Sequence, residues 1–146
     1  MSMKDVSDML KKLHGKSCEI GWFESNKYTN GVPVASVAAW NDLGVTDEEG
    51  KVLIPSRPFV RTAIADGNAS VDDEVKRSFN LVIQRKITPD QVLGRVGLHF
   101  EAAIVDSIKN GGWVANAEST VARKGFDKPL IGVTGLLWQS VTHKTS

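Results

Sequence analysis

The chain has 146 residues, with 18 lysines and arginines against 17 aspartates and glutamates, which gives a formal net charge of +1. This length is typical of a single domain that buries enough apolar surface to fold without disulfides or metal ions. The balanced charge excludes a general electrostatic attraction to nucleic acid or anionic lipid, although a local basic patch could still bind either.

The cysteine count and the hydropathy further limit the compartment and the class of protein. The single cysteine, Cys18, excludes an intramolecular disulfide and fits a reducing compartment. Because it lies beside an alternating run, we expect a small buried side chain and not a reactive thiol. No apolar stretch approaches the roughly 20 residues that cross a bilayer, and acidic residues interrupt the N-terminal segment, unlike a secretory signal. We therefore expect a soluble cytoplasmic protein.

The first part of the chain predicts a helix, a strand and a second helix. Apolar residues at spacings of three and four predict a helix within residues 1–16. Alternation over residues 18–23 predicts a strand. Pro33 suits the start of a helix and Gly44 suits its end, so a second helix is predicted between them.

A loop and a stiff connector are predicted next. Residues 44–57 are predicted to be an exposed loop, since they contain an acidic stretch with a glycine. Residues 54–61 carry two prolines three apart, and each proline favours extended geometry in its predecessor. In such a connector Arg57, Phe59 and Arg61 would lie on one side. The connector would form an interface or guide the chain into the next helix, and the two roles are compatible.

Two long helices are predicted in the second half of the chain. Ser70 or Asn68 can cap the first, whose apolar residues repeat at helical spacing as far as Val82. The sequence Thr88-Pro89-Asp90-Gln91 has the form of a capping box with proline at the first helical position. Asn110-Gly111-Gly112 is predicted to end this second helix.

The C-terminal part completes the predicted fold. An exposed loop is predicted over residues 111–129, and a strand over residues 136–142. Together the elements predict one α+β domain over residues 1–146, with a core over residues 17–143. In this domain a small antiparallel sheet packs against two main helices, with extended loops or arms.

Sequence patterns of familiar catalytic chemistry are absent. The chain has no glycine-rich phosphate loop, no nucleophile elbow and no dinucleotide fingerprint. Its three histidines lie far apart, and one cysteine cannot build a thiolate zinc site. We therefore predict no enzymatic activity, no catalytic residue, no cofactor and no metal site.

Two features favour binding to other molecules. The chain has four tryptophans, and Trp113 lies in a Gly-Gly-Trp loop where packing inside the monomer is not assured. Arg123, Lys124 and Lys128, with Phe126 between them, could contact phosphates and stack on a base. The same cluster could equally be a solvated loop or face an acidic partner.

Two sequence blocks, taken in order, resemble one family. The first is VASVAAWNDLG at residues 34–44 with IPSRPFVR at 54–61, and the second is STVARKGFDKPLI at 119–131 with TGLL at 134–137 and SV at 140–141. This order resembles the neck and tail-completion proteins of tailed bacteriophages, which are small virion proteins at the head–tail junction. The resemblance covers roughly residues 20–143.

The resemblance implies a non-enzymatic virion protein that forms a homo-oligomeric ring between the portal complex and the tail. It implies portal, head-completion and tail proteins as partners, no membrane, and DNA only as it passes through the ring. The location would be the virion, after assembly in the host cytoplasm. The alternative is a DNA-contacting or regulatory phage module that uses the basic loop at residues 123–128.

The resemblance also implies where subunits would meet. The connector would be fixed by its arginines, proline and phenylalanine, and residues 124–136 would form an arm near subunit contacts. The resulting interface candidates are Arg57, Pro58, Phe59, Arg61, Trp113, Arg123, Lys124, Lys128, Pro129 and Leu130.

Overall fold

A computed structural model describes residues 2–132 and 134–146 of the chain. Met1 and Val133, which the predicted domain includes, lie outside the described residues. The elements in chain order are α1 (Met3–Leu13), β1 (Cys18–Gly21), α2 (Val34–Leu43), β2 (Val45–Thr46), β3 (Val52–Ile54), α3 (Phe59–Ile83), α4 (Pro89–Asn110), α5 (Glu118–Lys124), α6 (Leu136–Gln139) and β4 (Thr142–Thr145). The predicted α+β class is confirmed, with α3 and α4 packed together as the two main helices.

The predicted sheet is two separate antiparallel pairs. Strand β1 pairs with β4, so that Ile20 lies opposite His143, and this pair packs on α4. Strands β2 and β3 form a separate hairpin in which Val45 lies opposite Ile54. The prediction of an exposed loop over residues 44–57 is therefore wrong in part, because most of these residues form this hairpin.

Helix α4 has the start and end that its sequence predicts. The backbone N–H of Thr88 donates to Gln91 Oε1 at 2.8 Å, which closes the capping box, and Pro89 occupies the first turn. The helix ends at Gly111, within the predicted terminating triplet. Local side-chain chemistry fixes both ends, so this element could be predicted closely.

Helix α3 begins at Phe59, well before both predicted caps, Asn68 and Ser70. Ser70 lies inside the helix, where its hydroxyl donates to the carbonyl of Asp66 at 3.3 Å. Gly67 looks like a break in the sequence, yet it is buried under the Phe100 ring of α4, and a Cβ there would lie 2.5 Å from that ring. The glycine therefore serves close packing of the two helices.

The C-terminal predictions also need correction. The predicted loop over residues 111–129 contains helix α5, and most of the strand predicted over residues 136–142 is instead the short helix α6 (Leu136–Gln139), with β4 beginning only at Thr142. The indole of Trp22 donates to the carbonyl of Leu137 at 2.8 Å, which anchors this turn next to the core. Strand pairing starts only at Thr142, opposite the last residue of β1.

The main core lies between α2, α3, α4 and the segment that follows α5. Its buried apolar residues are Val34, Ala38, Phe59, Ala63, Ile104, Ile108, Leu130, Leu137 and Val141. A smaller cluster of Met9, Val82 and Val92 ties α1 to the far end of the helix pair. The main core fixes α2 and the start of α3 against each other, and these elements carry the features described below.

Two glycines of α4 give a matched test of this packing. A Cβ on Gly97 would lie 2.6 Å from the His143 ring and 2.8 Å from Cys18 Sγ, whereas a Cβ on Gly94 would meet no atom within 4 Å. We expect Gly97→Ala to destabilise the protein by about 1–3 kcal/mol through overpacking. Gly94→Ala should instead stabilise it by about 0.5–1 kcal/mol, because alanine favours the helix. Urea unfolding of both variants checks the pair, and equal effects would contradict the packing of the β1–β4 pair on Gly97.

Candidate functional site

The end of α2 joins the two parts of the first sequence block. Asp42 is buried, and its Oδ1 accepts the backbone N–H of Val60 at 2.9 Å while its Oδ2 accepts Arg61 Nε at 3.2 Å. The Asp42 carbonyl also accepts the hydroxyl of Ser56 at 2.9 Å. A carboxylate that accepts a first-turn N–H of a helix does the work of an N-cap, so Asp42 stabilises the early start of α3.

Arg57 extends this network to the segment after α4. Its Nε donates to the carbonyl of Val114 at 2.9 Å, and one terminal nitrogen donates to Asn41 Oδ1 at 2.9 Å. The other terminal nitrogen donates to the carbonyl of Ala115 at 3.3 Å and to Asn116 Oδ1 at 3.4 Å. With 4 % of its surface exposed, Arg57 is a clamp inside the chain.

Three of the predicted interface residues are buried in the monomer and expose little surface to a partner. They are Arg57, Phe59 and Leu130. The extended connector predicted Arg57, Phe59 and Arg61 on one side, but α3 begins at Phe59, so Phe59 faces the core while Arg61 is exposed. Trp113 is half-buried, packs on the core and donates its indole N–H to the carbonyl of Ser107 at 2.7 Å.

The remaining interface candidates keep some exposed surface. Arg61, Arg123 and Lys128 are exposed, whereas Pro58, Lys124 and Pro129 are half-buried. Lys124 Nζ donates to the carbonyl of Lys128 at 2.8 Å and lies 4.8 Å from the centre of the Phe126 ring. The basic cluster is thus partly organised by contacts within itself.

An apolar surface on α2 was not singled out by the sequence analysis. Ala35, Ala39, Trp40 and Leu43, called the α2 face below, are exposed, with 44 % of Trp40 and 68 % of Leu43 accessible. The only charged residue of this helix is Asp42, which is buried. A helix that is uncharged on its exposed side is unusual on a free surface.

A cavity of about 280 Å³ opens beside the α2 face. Its walls come from α2 and from two neighbours, Trp22 and Val60, and they are almost entirely apolar. On α3, Ile64 lies one helical turn beyond Val60 and is also exposed. The signal in the sequence was the run VASVAAWNDL, which has a single charged residue in ten.

A second concave surface carries positive charge. It lies between the base of the β2–β3 hairpin and α5, has a volume of about 300 Å³, and is called the basic groove below. Its charged lining residues are Arg57, Arg123 and Lys124, and Asn116 lies beside them. Burial and the neighbouring charge of Arg57 lower the pKa of Lys124, whereas Asp127 opposes this shift.

One serine–histidine contact resembles part of a catalytic triad. Ser70 Oγ lies 3.2 Å from His99 Nε2, but the same nitrogen lies 3.1 Å from the carbonyl oxygen of Gly67. Because a carbonyl only accepts hydrogen bonds, the contact with Gly67 requires Nε2 to carry the proton, and it cannot then act as a base toward Ser70. Within residues 2–132 and 134–146, no carboxylate hydrogen-bonds to His99 to complete a triad.

The surroundings of Cys18 suit a structural side chain and not a reactive thiol. His143 Nδ1 lies 2.5 Å from Glu101 Oε2, and the His143 ring and Cys18 Sγ both pack over Gly97. Burial and then the charge of Glu101 raise the pKa of the Cys18 thiol, which disfavours the thiolate that a nucleophile needs. In the described part of the chain, no group of three or more histidine, cysteine or acidic residues is placed to hold a metal ion.

Comparison of the chain with known proteins found no match. No family model, curated protein or solved structure matches the chain. The resemblance to phage neck and tail-completion proteins therefore depends on the two sequence blocks alone. As for membranes, no helix among the residues described has the length and apolar character needed to cross one.

Proposed function

We propose that this protein is a structural component of the neck or tail-completion region of a tailed-phage virion, where copies of it form a ring between the portal complex and the tail. The proposal is supported by the two sequence blocks, and by the internal network that joins the two parts of the first block. The observation that carries it is the exposed, uncharged α2 face.

The energetics of the α2 face favour a protein partner. Burial of a side chain such as Leu43 or Trp40 contributes about 1.5–3 kcal/mol relative to leaving it in water. Aromatic anchors surrounded by small apolar residues are the typical centre of a protein interface. In a closed ring this face would meet a different surface on the next subunit, because ring contacts are heterologous.

The cavity beside the α2 face is less suited to a small polar ligand. Such sites combine apolar walls with a few polar groups that orient the ligand. Here the polar group at the wall is Asp42, and both of its carboxylate oxygens already accept hydrogen bonds from Val60 and Arg61. An apolar side chain from a second protein fits this lining better.

Substitution of Leu43 tests the proposal. Leu43→Arg should raise the dissociation constant of the oligomer by about 100-fold, since it removes a buried apolar contact and places a charge in the interface. The unfolding transition should stay unchanged, because 68 % of the side chain is exposed in the monomer. Sedimentation equilibrium of the purified protein, alone and with portal or tail proteins, measures the effect.

A matched control comes from helix α4. Leu98 of α4 is also largely exposed, at 56 %, and Leu98→Arg should leave assembly unchanged. A wild-type protein that stays monomeric at high concentration and binds neither portal nor tail proteins would contradict the proposed function. An oligomer that tolerates Leu43→Arg would contradict only the assignment of the α2 face.

The alternative function, a DNA-contacting module, has support from two exposed cations, Arg123 and Lys128. The third, Lys124, is half-buried, bonds to a backbone carbonyl and lies over Phe126, which leaves less of that ring free to stack on a base. Two exposed charges would give only weak, salt-sensitive binding.

A further inference from the structure

The basic groove holds more positive charge than its surroundings neutralise. In the parts of the chain that the structure describes, no carboxylate lies within 4.0 Å of a nitrogen of Arg57, Arg123 or Lys124. The hydrogen bonds of Arg57 go to neutral carbonyl and amide oxygens. Asp127 is close enough to act electrostatically on two of these cations, Arg57 and Lys124.

The groove also contains a buried hydrogen-bond donor that has no acceptor in the described part of the chain. Asn116 Nδ2 is buried and has no hydrogen-bond partner among the described residues, and Asn116 lines the groove together with Arg57. A buried donor without an acceptor costs about 1–3 kcal/mol. An oxyanion in the groove would supply the negative charge that its cations lack.

The chain itself offers a complementary acidic segment at the turn of the β2–β3 hairpin. Asp47 Oδ1 accepts the backbone N–H groups of Glu49 and Lys51, at 3.0 and 2.8 Å, and so fixes the turn. Glu48 and Glu49 are exposed at this turn, called the acidic tip below. In the described residues, neither has a cation within 4.0 Å.

We propose that the basic groove receives Glu48 and Glu49 from the acidic tip of a neighbouring copy of this chain. The inference depends on the proposed assembly into a ring. The groove is lined by Leu53 and Ile54 at the base of the hairpin, and the tip lies at its other end, about 10 Å away for three residues of strand. Opposite charges at the two ends of one element suit a head-to-tail contact, in which each copy gives its tip and receives another.

The shape of the groove favours a protein carboxylate over a DNA phosphate. Arg57 lies at the floor with only 4 % of its surface exposed, and the walls include apolar Leu53, Pro55 and Pro129. A flexible glutamate side chain can enter such a recess and pack its methylene groups on these walls. The backbone of duplex DNA is stiff and makes its contacts with cations that project from a surface.

A charge exchange tests the inference on the full-length oligomer. Glu48→Lys with Glu49→Lys reverses the tip, and Arg123→Glu with Lys124→Glu reverses the groove. Each reversal should raise the dissociation constant at least about tenfold at low salt, as expected when close interfacial charge pairs become repulsive. The protein that carries all four substitutions should recover an affinity within about threefold of the wild type. Sedimentation equilibrium measures all four proteins.

Matched controls separate this pairing from general charge effects. Asp72→Lys with Asp73→Lys, and Lys11→Glu with Lys12→Glu, reverse exposed charges on α3 and α1 and should leave the dissociation constant unchanged. Should the groove reversal unfold the protein, Arg123→Glu alone replaces it, since Arg123 is exposed. A smaller increase in the dissociation constant is then expected, again rescued by the tip reversal.

Other outcomes overturn the inference. Failure of the four-substitution protein to recover, or assembly indifferent to both reversals, would overturn the pairing while leaving the ring intact. A wild-type protein without any self-association would overturn the pairing and the proposed function together. Loss of binding to a short DNA duplex in the groove reversal, with assembly unchanged, would identify the groove as a phosphate site instead.

Discussion

Replacing Phe59 with alanine should destabilise the folded protein by about 3–5 kcal/mol. The side chain is fully buried, and its ring meets Trp22 edge to face with the ring centres 6.0 Å apart. Its carbonyl also accepts the Ser107 hydroxyl at 2.8 Å, which fixes the first turn of α3 against α4. Surrounding backbone on two helices cannot collapse easily into the space left by the ring, so most of the cavity cost should persist.

Urea unfolding followed by circular dichroism measures this loss, with Phe23→Ala as the control. Phe23 is half-buried and its ring is covered by Lys144 Nζ, 4.0 Å from the ring centre, so its removal should cost less than about 2 kcal/mol. A loss at Phe59 no larger than that at Phe23 would mean that Phe59 is accessible in solution. The interface role that the sequence predicted for it would then regain support.

Because Phe59 is buried in the monomer, the IPSRPFVR segment acts as an internal connector. Within the monomer, its residues bind the end of α2 through Asp42 and the segment after α4 through Arg57. The segment therefore joins two distant parts of the chain. These contacts agree with its predicted role in guiding the chain into the next helix.

The sequence predicted α4 well because its boundaries depend on neighbouring residues. Thr88 and Gln91 bond to each other across one helical turn, and the glycines that follow Asn110 end the helix locally. Signals of this range are contained in the sequence itself.

The start of α3 could not be predicted because it depends on distant residues. Asp42 supplies the acceptor for Val60, eighteen positions away, and Phe100 on another helix explains Gly67. Read locally, Gly67-Asn68 resembles a break before a new cap at Ser70. The tertiary contacts override that preference.

At the candidate site, the direction in which each side chain points was the feature that the sequence predicted least well. The sequence identified Arg57 and Phe59 as important, but an extended connector and a helix that begins at Phe59 place them differently. The α2 face was missed for another reason. Helical periodicity finds a helix by contrast between an apolar and a polar side, and α2 has little such contrast, since its exposed side holds Trp40 and Leu43.

The two proposed contacts would have different roles in assembly. The α2 face offers apolar area, which supplies affinity but little orientation. The basic groove and the acidic tip offer few groups, but opposite charges reject wrong partners and fix the register of the right one. High salt should therefore weaken the association of subunits moderately, because it screens the charges of Glu48, Glu49, Arg123 and Lys124, but it should not dissociate the oligomer completely.

Replacing Arg57 with alanine should destabilise the monomer by about 2–4 kcal/mol. The substitution leaves the carbonyls of Val114 and Ala115 and the amide oxygen of Asn41 without their charged donor. Hydrogen bonds to a charged donor contribute more than neutral ones, and the guanidinium makes several of them in one plane. The segment at residues 114–116 should also lose its attachment, so its amide protons should exchange faster.

Arg61→Ala is the control for this prediction. Arg61 is exposed, and its buried partner Asp42, 3.2 Å away, keeps the N–H of Val60 when Arg61 is removed, so this substitution should cost less than Arg57→Ala. Arg57→Lys keeps the charge but cannot reach both Val114 and Asn41 with one nitrogen, and it should recover less than half of the lost stability. Urea unfolding gives the free energies, and hydrogen exchange reports on residues 114–116. Normal stability of Arg57→Ala together with failed assembly would instead make Arg57 an interface residue.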